Sequence, residues 1–187
     1  MTTVGRLAAL VGVVALSVAA ARPAAAQADP PARNRPLIAM IDRFLSRPFD
    51  EDLRVGLLDS AEARADVLID IKASVTPFLC YGDTAALIRG LDALLLTAYV
   101  SGDMREQLVR GRSGDQPEAG LRGVLTVYGV IRSRVLDYRV PEVDAWSEAS
   151  AANRLAALAD SLKRQSGDCV RKPARFSPTA GLHPVSP

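Results

Sequence analysis

The side chains that most often carry chemistry are few in this chain, and their spacing suits little of it. The single histidine, His183, stands near the end of a proline-rich C-terminal stretch. Ser-His-Asp and Cys-His nucleophilic schemes therefore lack a base in any ordered site. Cys80 and Cys169 are the only cysteines, too few for a cysteine-rich zinc cage, and with one histidine no histidine-based zinc motif can form. The sequence holds no C-x-x-C, no C-x-x-C-H, no phosphate-binding P-loop and no Gly-x-Gly-x-x-Gly. Asp50-Glu51-Asp52 is acidic but lacks the glycine and terminal glutamate of a calcium loop. No metal and no cofactor is expected.

Carboxylates could still act alone, because glycoside cleavage needs only two placed acids. Glu106 and Glu118 flank the stretch Arg112–Gln116 and are the best such pair. Each also has a plain structural role, since both are expected in first helical turns, where negative charge favours the positive end of the helix dipole. Tyr81, Tyr99, Tyr128 and Trp146 could line a ligand pocket between helices. The competing role is ordinary core with a polar edge at the surface.

The two cysteines bear on folding rather than catalysis. Met1–Ala28 has the three parts of a secretory signal: Arg6, an apolar run from Leu7 to Ala21, and small-x-small cleavage sites at Ala24-Ala25-Ala26 and Ala26-Gln27-Ala28. The apolar run is shorter than the roughly 20 residues a bilayer span needs. Export of a bacterial type, to the periplasm or the medium, is the expected fate. In an oxidising compartment two cysteines imply one disulfide, Cys80–Cys169, with free thiols as the alternative. The bond would close a loop of 89 residues, which the chain-entropy model values at roughly 4–5 kcal/mol as an upper figure.

Both bases before Asp29 belong to the signal, so the 23 bases and 21 acids of the whole chain become a formally neutral mature protein. A nucleic-acid binder would show a concentrated basic face, and none is evident. Roughly 160 mature residues suit one domain. Few aromatics with many Ala, Leu and Arg favour helix over sheet.

The elements follow from periodicity. After a leader, Asp29–Arg35, Pro36 suits a first helical position, and Leu37, Ile38, Ile41, Phe44 and Leu45 form an apolar face. A short helix is predicted over Asp50–Leu58. Asp59 and Glu62 then have capping-box spacing and should open another helix, with Leu68, Ile71 and Val75 inward, ending near Pro77. Asp83 reads as the N-cap of the most apolar helix, which carries Leu87, Leu91, Leu94, Leu95 and Ala98 inward and pairs Arg89 with Asp92 on its wet edge. Ser101-Gly102-Asp103 should end that helix and cap a short one from Met104 to Gly111. The Gly111–Pro117 stretch reads as a loop. A long helix is predicted over Pro117–Asp137; its Gly120, Gly123 and Gly129 make sense where another helix crosses closely. Pro141–Gln165 reads as one thin, alanine-rich last helix with Trp146, Leu155, Leu158 and Leu162 on one side. Cys169–Pro187, with four prolines, no acids and three bases, reads as a basic disordered tail.

The sequence thus predicts an all-α, single-domain bundle over residues 36–168 of about five to seven helices, stapled by a disulfide between disordered ends. Its expected work is non-enzymatic binding of a protein or small-molecule partner outside the cytoplasm, without nucleic acid and without stable membrane insertion. A carboxylate hydrolase of envelope glycans and a carrier of an apolar ligand are the alternatives.

Overall fold

A computed structural model describes residues 30–83, 85–165 and 167–175; the signal segment and His183 lie outside them. Six α-helices pack together, with no strand among the described residues: α1 (Arg35–Ser46), α2 (Glu51–Glu62), α3 (Ala86–Arg110), α4 (Pro117–Arg134), α5 (Pro141–Ala151) and α6 (Leu155–Arg164). Short 3-10 turns precede α1, at Ala32–Asn34, and α3, at Pro77–Cys80. The cysteines are bonded, Cys80 to Cys169, with Cα atoms 5.5 Å apart.

The core forms largely as the apolar periodicity requires, although Leu87, expected inward at the start of α3, is 58% exposed. Ile38, Ile41 and Phe44 of α1 are buried, as are Leu91, Leu95 and Ala98 of α3 and Leu121, Val124 and Ile131 of α4. Helix α3 is the axis, contacted by α1, α2 and α4, while α4 also packs against α1, α5 and α6. The closest approach is between α3 and α4, where small residues stand face to face. A Cβ placed on Gly102 would come within 2.3 Å of the Ala119 carbonyl oxygen, and one on Gly123 within 2.3 Å of that of Ala98. Gly120 lies under the Tyr99 ring.

That crossing explains the largest departure from the predicted elements. Ser101-Gly102-Asp103 does not end the central helix; α3 runs through it for 25 residues and stops at Gly111, whose φ of 63° is left-handed. Gly102 serves the crossing, a gain that offsets the up to about 1 kcal/mol a glycine costs a helix interior. Gly129 is the exception among the predicted crossing glycines, since an added Cβ there would meet nothing within 4 Å.

Two other predicted helices differ. Helix α2 continues through Asp59, and Glu62 is its last residue, not a capping partner. The segment from Arg64 to Thr76 then forms no helix, and Leu68 and Ile71 are exposed while Val75 is buried. Its backbone is satisfied from outside: the Gln107 side chain accepts from Leu68 N at 3.0 Å and donates to Leu68 O at 2.6 Å. The expected Pro141–Gln165 helix breaks into α5 and α6 at Asn153, whose φ is 54°. Asparagine tolerates that left-handed conformation better than most residues. The break lets α6 fold back onto α4.

The chain after Cys169 departs most from expectation. Cys169–Arg175 is docked, not a loose tail. Lys172 N donates to Cys80 O at 2.8 Å, and Gly82 N donates to Lys172 O at 3.0 Å, a parallel bridge beside the disulfide. Residues 176–187 lie outside the described part of the chain.

Candidate functional site

The docked segment and the chain between Leu79 and Asp83 together build a groove of about 450 Å³. The disulfide forms part of its wall, with Leu79, Tyr81, Asp83, Arg89 and Arg171 around it. The sequence dictates this locally. Pro77 sets a 3-10 turn that aims Cys80 inward, and the bond to Cys169 forces the following residues to run alongside Tyr81 and Gly82. Leu79 and Val170, each next to a cysteine, are left 44% and 75% exposed. Arg89 and Arg171 are exposed and form no ion pair among the described residues.

Beneath the groove lies a buried charged network that fixes its floor. The Arg175 guanidinium donates to Asp83 Oδ2 at 2.8 Å and to Asp92 Oδ1 and Oδ2 at 2.8 and 2.7 Å. All three side chains are under one-tenth exposed. Arg175 N also donates to Asp83 Oδ1 at 2.9 Å, so backbone and side chain are both held. The guanidinium carbon lies 4.5 Å from the Tyr81 ring centre and 5.4 Å from that of Tyr138, an aromatic clamp on a cation. The Tyr138 hydroxyl donates to Asp92 Oδ1 at 2.5 Å.

The electrostatics follow from this packing. Burial pushes the Asp92 carboxyl above its usual range, and the Arg175 guanidinium and Tyr138 hydroxyl pull against that push. Burial works against the Arg175 charge too, but its hydrogen bonds to Asp92 and Asp83 outweigh it and raise its pKa. Tyr81 is pushed up to about 12 by burial and by its hydrogen bond to Glu142. Burial alone would raise Glu142, yet Lys172 and the Tyr81 hydroxyl hold that carboxyl below its ordinary value. The region is therefore densely charged, with three carboxylates, Asp83, Asp92 and Glu142, held by two cations, Arg175 and Lys172. The two rim arginines, Arg89 and Arg171, add positive charge at its exposed edge.

The residues singled out from sequence fall in different surroundings. Tyr81 lines the groove. Tyr99 is fully buried. The Tyr128 hydroxyl accepts from Val140 N at 3.0 Å and donates to Asp144 Oδ1 at 2.9 Å, and its ring meets Tyr138 edge to face. Trp146 is buried on α5. The last three line neither the groove nor a smaller cavity of about 120 Å³ between Val67 and Gly111. Glu118 lies in the first turn of α4 as expected and accepts from Arg122. Glu106 lies near the C-terminal end of α3, not in a first turn, and accepts from Arg110 Nε at 2.6 Å. Each glutamate is thus occupied by an arginine one turn along its own helix.

Two roles expected of charged residues change as well. Asp83 does not cap α3: Ala85 holds that position and provides no side-chain cap, because the Asp83 carboxylate is taken by Arg175. Asp92 is buried and does not pair with Arg89 at a wet edge. Arg175 was hidden from sequence reasoning by its proline-rich surroundings; the signal that could have found it is the disulfide, which must bring this segment to Tyr81. Among the described residues no cluster of three or more His, Cys, Asp or Glu could hold a metal, and no helix is long and apolar enough to cross a membrane. Comparison with protein-family models, with curated proteins and with solved structures finds no match to this chain.

Proposed function

We propose that this is an exported, non-enzymatic binding module whose groove beside the disulfide takes an acidic segment of a partner protein. The observation that carries the proposal is the pair of exposed arginines, Arg89 and Arg171, on a groove also lined by Leu79. Two cations without an ion-pair partner among the described residues, beside exposed leucine and valine, match a ligand with carboxylates next to apolar side chains. Such a surface gains from desolvated contact at its centre and from charge complementarity at its rim. The rigid network below the groove favours binding further, because a preformed floor loses little entropy when a partner docks.

Export accords with the disulfide, which belongs to oxidising compartments, and with the signal pattern of Met1–Ala28. A carboxylate hydrolase is not favoured, since Glu106 and Glu118 are each engaged by arginine. The apolar-carrier reading is not favoured either, because the groove walls are largely polar or charged.

The test places a photo-reactive benzoylphenylalanine at Leu79 in the exporting cell. The expected product is a covalent adduct with one protein, crosslinked within a segment rich in Asp or Glu, and lost in an Arg89→Glu, Arg171→Glu double variant. An adduct of equal yield in that variant contradicts the proposal. So does native mass spectrometry that shows a retained small molecule in place of a protein partner.

A further inference from the structure

A second buried carboxylate lies further along α3, and it is handled without a cation of its own. Asp103 is fully buried. Its Oδ1 accepts from Gln107 Nε2 at 2.6 Å and its Oδ2 from Gln116 N at 2.9 Å. The Asp115 carboxyl lies within hydrogen-bonding reach of it. Asp115, its side chain 7% exposed, accepts from Asp70 N at 3.1 Å and from Lys163 Nζ at 2.9 Å. Gln107 completes the knot, accepting from Leu68 N and Gly114 N at 3.0 and 3.1 Å. These few contacts join α3, the Arg64–Thr76 segment, the loop from Gly111 to Gln116, and α6.

We infer that the Asp103–Asp115 carboxyl pair is a proton-operated latch that holds the 111–116 loop and the 67–70 segment onto α3. Two carboxylates in contact in a buried setting cannot both be charged without strong repulsion, so the closed arrangement requires one shared proton. The other groups facing the pair set which acid keeps it. From α6, Lys163 neutralises Asp115. From the irregular segment, Asp70 adds negative charge, itself paired with Lys72 at 3.1 Å. From α3, Tyr99 presents a buried hydroxyl that makes no hydrogen bond among the described residues, and Gln107 brings no charge. The proton therefore resides on Asp103: burial, then its bond to Asp115, pushes that carboxyl up to about 7. Asp115 is held below its usual value, because Lys163 and Asp103 outweigh the burial that would raise it.

The sign follows from linkage. The closed form binds a proton that the open form, with an ordinary carboxyl pKa near ~4, gives up. The Asp103 contribution to closure is full below that value and is lost as pH rises toward about 7, by up to about tenfold per pH unit, while the contribution of Asp115, held low by Lys163, is lost as pH falls below its ordinary range. Release loosens the wall of the cavity of about 120 Å³ beneath the loop, lined by Val67, Gln107, Gly111, Arg112 and Ser113 among others. External pH would thus govern access to it.

Amide hydrogen exchange of the whole protein at pH 5 and pH 7.5, corrected for intrinsic rates, tests the latch. Leu68, Asp70, Gly114 and Gln116, whose N–H groups donate into the knot, should lose at least tenfold in protection at the higher pH. Val127 and Ile131 in α4 should not change. In Asp103→Asn, which cannot titrate, the pH effect should vanish. Should that variant lose helical dichroism, Asp115→Asn removes the second of the two pushes on Asp103 and should shrink the same response without abolishing it. Equal protection of the four amides at both pH values overturns the latch, as does a pH effect that persists in Asp103→Asn.

Discussion

Helix α3 buries two aspartates, Asp92 and Asp103, and the protein treats them in opposite ways. Asp92 receives a bidentate guanidinium from Arg175 and a hydroxyl from Tyr138. Asp103 receives two amide hydrogens and a second carboxyl. The first arrangement is a charge matched by a charge, carried in by a segment the disulfide tethers. The second shares a proton between acids. A matched pair resists pH and stiffens its surroundings, whereas a shared proton makes its surroundings depend on pH. One end of α3 is therefore built as a fixed floor for a groove and the other as a movable wall.

The largest expected effect comes from removing the cation at the fixed end. Arg175→Ala leaves Asp83 and Asp92 buried without their guanidinium and should cost about 3–5 kcal/mol, read as a lower urea midpoint. A loss near zero would mean that the segment is not held as described. Cys80→Ser with Cys169→Ser should cost about 2–5 kcal/mol in the same assay, because it frees an 89-residue loop. It should also lower the hydrogen-exchange protection of the Gly82 and Lys172 amides. Unchanged protection there would show that the ion pairs alone dock the segment.

Smaller changes sharpen the contrast. Tyr138→Phe deletes one donor to Asp92 while Arg175 remains, and should cost about 1–3 kcal/mol at any pH from 5 to 8. A cost that changed around pH 7, where Asp103 titrates, would assign Asp92 the behaviour claimed for Asp103. Gly129→Ala touches neither region, since nothing lies within 4 Å of the added methyl. It should stabilise α4 by about 0.5–1 kcal/mol, seen as a rise in melting temperature. A fall would mean that the exposed face of α4 is in use.

Much of the fold was legible in the sequence because apolar spacing reports which face of a helix is covered. Ile38, Ile41 and Phe44, or Leu121, Val124 and Ile131, needed only that rule. The disulfide followed from counting cysteines. What periodicity could not reveal was the use of glycine and charge across space. Gly102 and Asp103 have the local chemistry of a helix end, and only the approach of Ala119 and the loop amide of Gln116 turns them into interior residues. Asp59 and Glu62 formed a plausible cap, yet no apolar face downstream was strong enough to complete a helix. The groove was the least legible feature. Its floor depends on Arg175, which lies 92 residues from Asp83 in a stretch whose composition alone predicts disorder. Local rules located the core, while long-range pairing of single charged residues made the candidate site.

The difference between the two aspartates is open to direct observation by carbon-13 NMR titration of the side-chain carboxyl signals from pH 4.5 to 9. The account predicts that Asp103 titrates with a midpoint of about 7, while Asp92, raised by burial but pulled back by Arg175 and Tyr138, titrates at lower pH than Asp103. An Asp103 signal that is already ionised at pH 5, or an Asp92 signal that titrates alongside it, would contradict the claim that one end of α3 is fixed by charge and the other governed by a proton.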